Sequence, residues 1–384
     1  MTSKERMITA LKNIGEPDRV PIYPGLSHLY PLKHTGLPFW QVEYFRKPTM
    51  IDAQIALIER FGHDGWFSST LGASPEEPAQ KSEITSQTSE KLIVKNTSYT
   101  KHGNLTQEVV YPADTSCWIS KGLVEDVEGD YKKILSLFVD PWKRSTVEFK
   151  ETYRKVGNLG VVELYTFTPF DWWAEMMRRS AQDSIYDFCD HVDTMRKLVD
   201  AYIENTLEYI KAACELVRPD FVQFQATSSS ISILSPKMFA DINMPYIEQA
   251  AALCKSYDIP TYVHSGGKSL EMVKMIANTD VSAIGPVEAP PSGDNDLADL
   301  KQKYGKKLCF QGNVHTIEAM FEGTPEIVEQ EVKNCIRMAA KGGGYILGTG
   351  DQTPYDAPEE NVIAFIEAGK KYGRYPLDWD RLSE

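Results

Sequence analysis

The chain has 384 residues, 42% hydrophobic and 25% charged, and 54 Asp and Glu against 41 Lys and Arg give a net charge of −13. These values belong to a globular protein and exclude disorder, collagen and a coiled coil. The acidic balance, with no block of Lys and Arg, argues against nucleic acid.

Met1 to Glu5 has no apolar signal core, and no apolar run approaches the roughly 18–20 residues of a membrane helix. A soluble, cytoplasmic protein is the expectation. The six cysteines form no C-x-x-C pair and sit mostly in apolar or helical stretches, which argues against a disulfide framework.

Short apolar strands alternate with helical patterns along the chain. The strands are predicted at Val20–Tyr23, Gly65–Ser68, Leu159–Tyr165, Phe221–Gln225, Thr261–His264, Ser282–Gly285, Lys307–Gln311 and Tyr345–Gly348. Helical spacing of apolar residues predicts a helix over Ser184–Glu215. Ser235-Pro236 opens another, over Pro236–Lys255, and Gly305 follows a short one at Asp296–Tyr304. Eight strands with intervening helices make an α/β chain, a (β/α)8 TIM barrel as one domain over 1–384. Leu92–Val110 alternates β-branched and polar residues around Lys101-His102-Gly103-Asn104 and reads as a β-hairpin inserted between the second and third barrel strands. Leu11–Leu37 reads as an N-terminal cap, so cap and hairpin lie within about 1–130.

In such barrels the chemistry sits at the carboxyl ends of the strands. Those ends offer Tyr23, Ser68, Tyr165, Gln223, Gln225, His264, Glu288, Gln311, Asn313 and Asp351. His264 closes an apolar strand ahead of Gly266-Gly267, where a ligand can approach the backbone. A core histidine bonded to a carbonyl is the competing reading. Asp351 follows the last strand and could instead cap the next helix. The cluster Tyr165, Phe167, Phe170, Trp172 and Trp173 either packs the core or lines a flat pocket for an aromatic ligand. G-x-G-x-x-G with a following acid, a Walker A lysine, G-x-S-x-G and H-E-x-x-H are all absent, which disfavours dinucleotide redox chemistry and P-loop hydrolysis.

An ordered set of short motifs resembles the uroporphyrinogen decarboxylase superfamily. It starts at Thr2-Ser3-Lys4-Glu5-Arg6 with Pro17-Asp18-Arg19-Val20-Pro21, and runs through Thr100–Leu105, Ser235–Phe239 and Gly293-Asp294 with Leu300-Lys301. It ends with Gln311-Gly312-Asn313-Val314, Gly323–Glu326 and Pro358–Asn361. The resemblance implies a barrel and either decarboxylation or cobalamin-dependent methyl transfer. The decarboxylases' N-terminal Arg-rich loop is replaced here by Tyr23–His28, without arginine, and Asp351 stands where their last histidine is expected. A polycarboxylate would find no cationic clamp. The thiol-methylating branch holds zinc through His-x-Cys and a distant Cys. His264 matches that His, but Gly266 and Asp351 replace both thiolates. A nitrogen and oxygen ligand set suits an oxygen leaving group better than a thiol.

The resemblance therefore implies the first methyltransferase of an O-demethylase system. It would move a methyl group from a methoxylated aromatic to cobalt(I) of a separate corrinoid protein, which carries the cobalamin. Its catalytic residues are expected to be His264, Tyr165 and Asp351. Tyr23, Phe167, Phe170, Trp172, Gln225, Gln311 and Asn313 are expected to bind substrate, and His264, Glu288 and Asp351 to hold any zinc. A homodimer is possible. The alternatives are a decarboxylase of a small aromatic or pyrrolic acid, a methyltransferase with another methyl donor, and a member that binds a tetrapyrrole or corrinoid protein without turnover.

Overall fold

The computed structural model describes residues 1–383. Twelve strands are present among them. They are β1 (Ile22–Tyr23), β2 (Gly65–Ser69), β3 (Ala79–Gln87), β4 (Lys91–Thr100), β5 (Gly103–Pro112), β6 (Trp118–Lys121), β7 (Gly160–Phe167), β8 (Phe221–Gln225), β9 (Thr261–His264), β10 (Ala283–Gly285), β11 (Cys309–Val314) and β12 (Tyr345–Thr349). Eight of them form one parallel sheet in the order β1-β12-β11-β10-β9-β8-β7-β2. Each predicted barrel strand is there, and Phe221–Gln225 and Thr261–His264 keep their predicted bounds.

Strands β1 and β2 close the barrel through Asp64. Its N–H donates to Ile22 O at 2.9 Å, and its Oδ2 accepts from Ile22 N at 2.7 Å. Arg6 and Arg19 hold the same carboxylate at 2.6 and 2.7 Å. At β2 and β7 the backbones approach so closely that a Cβ on Gly160 would lie 2.1 Å from Gly65 O. Only glycine fits there.

Side chains alternate along the strands with period two. Val162, Leu164, Val222, Phe224, Val263, Ile284, Phe310 and Leu347 face the helical layer and join the main core. Trp66, Val161, Phe221, Tyr262, Ala283, Cys309 and Ile346 point inward. The first helix, Ser3–Leu11, plugs the amino-terminal end of the barrel, with Met7, Ala10 and Leu11 packed on this inner layer. Leu11 thus belongs to the floor. The cap over the other end begins later, with helices Leu29–His34 and Phe39–Glu43.

Two long helices predicted as continuous are broken. Ser184–Glu215 divides into Ala181–Asp190 and Val192–Leu216 at His191, within a run of weak helix formers. Pro236–Lys255 divides into Pro236–Ile242 and Met244–Ser256. Pro245 lacks an N–H, so it starts a new helix instead of continuing the old one. The predicted caps hold: Ser235 Oγ accepts from Met238 N at 3.2 Å, and Gly305 is the C-terminal cap of Leu297–Tyr304, its N–H donating to Lys301 O at 3.0 Å.

The inserted hairpin is β4 and β5, turning between Thr100 and Gly103. It is the middle of a four-stranded antiparallel sheet, β3-β4-β5-β6. The outer strands gave no alternation to read, since β3 is exposed along nearly its whole length and β6 has four residues. No described helix is long and apolar enough to cross a membrane.

Candidate active site

A cavity of about 650 Å³ opens at the carboxyl ends of the barrel strands. Its floor is made by inward side chains of β2, β7, β8, β9 and β11. Its roof comes from the cap segment and from β5 and the residues after it, through Tyr111 and Cys117. The cap loop reaches the barrel because Gly25 has φ +66°, and a Cβ there would strike Thr349 Oγ1. Thr353 N then donates to Gly25 O at 3.2 Å, tying the loop to the segment after β12.

The structure brings six of the predicted residues to this cavity: Tyr23, Tyr165, Gln225, His264, Gln311 and Asp351. His264 ends β9, and burial pushes its imidazole down to about 4, opposed by the nearby Asp351 carboxylate. At neutral pH it is an uncharged ring that can donate from one nitrogen and accept at the other. Burial also keeps the Tyr165 phenol protonated, well above its ordinary range, with the Glu175 carboxylate adding to the shift. Gln311 Oε1 accepts from the Tyr262 hydroxyl at 3.0 Å. Gln225 Nε2 donates to Thr227 Oγ1 at 2.9 Å. Tyr23 stacks on Trp66 with ring centroids 5.1 Å apart.

The other predicted residues lie elsewhere. Trp172 stacks on Tyr202 at 4.5 Å, and Phe170 stacks on Phe188 at 5.6 Å. Phe167 packs edge-on against Tyr165 at 5.1 Å. None of the three lines the cavity: Phe170 and Trp172 lie in the turn Pro169–Asp171 and the π-helical turn Trp172–Met177, which carry the chain outward into the helical layer, and Phe167, the last residue of β7, packs against Tyr165. The aromatic walls come instead from Tyr23, Trp66, Tyr111, Tyr165 and Tyr262. Asn313 Nδ2 donates to Val287 O at 2.9 Å, and its Oδ1 accepts from the Cys335 thiol, so it ties the loop after β10 and the helix Pro325–Ala339 to β11.

Glu288 is likewise turned away, its Oε1 accepting from Gly267 N–H. Among the described residues no three His, Cys, Asp or Glu side chains gather closely enough to hold a metal. His264, Glu288 and Asp351 are therefore not assembled as one ligand set, and the residues present do not fit a three-ligand zinc site.

Sequence reasoning missed Glu163. It sits in the middle of β7, is 1% exposed, and lines the cavity floor. Trp66 Nε1 donates to its Oε2 at 2.7 Å, and Ser68 Oγ donates to its Oε1. Burial pushes its carboxyl up to about 7, against those two hydrogen bonds, which favour the charged form. The signal was present: Gly160-Val161-Val162-Glu163-Leu164 puts one carboxylate inside an apolar strand. A charge placed there has a purpose or a heavy cost.

The charge of the lining is acidic. Glu43, Glu148, Glu163 and Asp351 contribute carboxylates, and Arg46 is the one Lys or Arg among the described lining residues. Arg46 is already paired with Glu148.

The family model described as uroporphyrinogen decarboxylase (URO-D) matches residues 159–372. A uroporphyrinogen decarboxylase of Pseudoalteromonas translucida (strain TAC 125) is 25% identical over 181 residues, 46% of this chain and 48% of that protein. One from Legionella pneumophila (strain Corby) is 31% identical over 140 residues, 35% of this chain and 37% of that protein. The chain thus aligns with about half the length, or less, of the curated relatives it matches. A solved structure described as a methyltransferase from Methanosarcina mazei shares the fold at TM-score 0.66 and 17% identity, covering 97% of this chain and 99% of that one. More than half of this chain matches the URO-D model, and the chain belongs to the uroporphyrinogen decarboxylase family.

Proposed function

We propose that this protein is a methyltransferase that moves a methyl group from a methoxylated aromatic to cobalt(I) of a separate corrinoid protein. The observation that carries the reading is Glu163, a buried carboxyl titrating near neutrality in a cavity walled by aromatic rings. A phenyl methyl ether presents a flat apolar ring and one oxygen that must accept a proton as it leaves. The cavity offers rings for the first and an acid for the second. The acidic lining also disfavours a substrate with many carboxylates, since the one arginine is already paired.

The reduced corrinoid, brought by its partner, supplies the nucleophile that takes the methyl carbon. The methyl carbon–oxygen bond breaks, and its electron pair stays on the aryl oxygen. Glu163 gives its proton to that oxygen, and the resulting carboxylate is reprotonated from solvent. Tyr165 and the neutral His264 can donate hydrogen bonds to the same oxygen or a ring substituent. Gln225 and Gln311 add polar contacts along the wall. The whole-chain likeness to a structure described as a methyltransferase supports the same reading.

The test is an anaerobic assay with reduced corrinoid protein and a panel of methoxyaromatics, following the change from cobalt(I) to methylcobalt(III). A change that needs both this protein and a methoxyaromatic supports the proposal. No change with any methyl donor, together with carbon dioxide release from small aromatic or pyrrolic acids, would replace it with decarboxylation.

A further inference from the structure

Resting on that reading, we propose that the substrate carries a positively charged nitrogen, an ammonium group, which docks on Glu43 in the roof of the cavity. Glu43 ends the cap helix Phe39–Glu43 and lines the cavity. Its side chain is 5% exposed, and neither carboxylate oxygen has an N–H or O–H partner; the neighbouring Cys117 thiol is only a weak donor. His28 Nε2 lies 3.1 Å from Oε1, at an angle that makes no hydrogen bond. A buried carboxylate without a strong donor is costly. An occupant that supplies N–H groups or a cationic charge removes that cost.

The surroundings leave the position open to a cation. Burial and the Glu43 charge hold the adjacent Cys117 thiol up to about 11, so it stays neutral. The nearby Tyr111 phenol is pushed up to about 12, mainly by burial, and also stays neutral. The one arginine of the lining pairs with Glu148 instead. Glu148, Glu163 and Asp351 leave the rest of the cavity negative or neutral, and tyrosine and tryptophan faces attract cations. At about 650 Å³ the space has room for a ring with a side arm. Glu43 in the roof and Glu163 in the floor then divide the work: one holds the ammonium end, the other faces the methoxyl.

Calorimetric titration without corrinoid protein tests this directly. The probes are methoxyphenethylamine, the corresponding neutral alcohol and methoxyphenylacetate. The amine should bind on the order of 10–100-fold more tightly than the alcohol, and the acetate most weakly. Glu43→Gln should erase the amine-over-alcohol ratio. If Glu43→Gln does not fold, Glu43→Asp decides, since a shortened carboxylate should lower that ratio and an unchanged ratio overturns the proposal. Equal binding of amine and alcohol by the wild type, or an amine preference that survives Glu43→Gln, also overturns it. Because binding is read without turnover, a failed methyl transfer leaves this inference standing. Equal binding with turnover of the neutral arene removes this inference and leaves methyl transfer.

Discussion

Trp66 Nε1 donates a 2.7 Å hydrogen bond to Glu163 Oε2 across neighbouring barrel strands. The indole also stacks on Tyr23 and meets Tyr262 edge-on at 4.8 Å. The one buried acid of the cavity floor is therefore fixed by a rigid aromatic frame. A carboxyl held in this way keeps one orientation through a reaction cycle. Trp66 favours the ionised form and burial the protonated one, which leaves the group titrating close to neutrality.

Glu163→Gln tests the acid role. The amide keeps the shape and still accepts from Trp66, but it cannot release a proton. Methyl transfer should fall by roughly 10²–10⁴-fold, with stability little changed. In the wild type the rate should fall as pH rises through about 7, because the acid form is consumed. In the variant that limb should vanish. A variant with full activity and the same pH limb would assign the proton to another group, with Tyr165 the nearest alternative on the same strand.

The barrel was legible because its strands are short apolar runs separated by helical patterns, as at Phe221–Gln225 and Thr261–His264. Strand-end reasoning also found His264, Gln225 and Gln311, since period two puts these side chains on the inner face. It failed where the information is not local. Glu163 lies four residues before the end of β7, so a search of strand ends passes over it. Phe170 and Trp172 follow the same strand, but the π-helical turn that rotates them into the core has no periodicity to read. The Glu43 site depends on residues from the cap and the segment after β5, more than 70 positions apart, and only the fold brings them together. Asp64 at the barrel seam is likewise an ordinary loop aspartate in sequence.

That seam makes a second test. Asp64 is 1% exposed and receives Arg6, Arg19 and the Ile22 N–H. Asp64→Ala removes the acceptor shared by two largely buried guanidinium groups and the side-chain bond to Ile22 N–H, leaving the backbone bond to Ile22 O and the Tyr23–Trp66 stack to join β1 and β2. Loss of one partner from a buried ion pair costs about 3–5 kcal/mol. Arg6 keeps Asp18 as a partner, so the lower end of that range is expected. Urea unfolding measures it. A loss under about 1 kcal/mol, the worth of a surface pair, would show that the seam is held by packing instead.

A third expectation concerns acid stability. His63 sits beside the seam, 6% exposed, with Nδ1 unpartnered. Burial pushes its imidazole down from 6.5 to about 4. Between those values the unfolded chain binds the proton and the folded chain does not, so stability rises with pH across the window and is lost as pH falls through it. The full contribution is on the order of 3 kcal/mol. Asp171 works in the opposite sense, because burial and the neighbouring Glu175 carboxylate push its carboxyl up and the fold favours its protonated form. The wild-type curve alone therefore mixes the two. The difference between wild type and His63→Gln isolates the histidine, since Asp171 is common to both. Relative to the wild type, the variant should gain stability as pH drops from about 6.5 to about 4. Parallel unfolding curves across that interval would mean that His63 takes up its proton in the fold as readily as outside it.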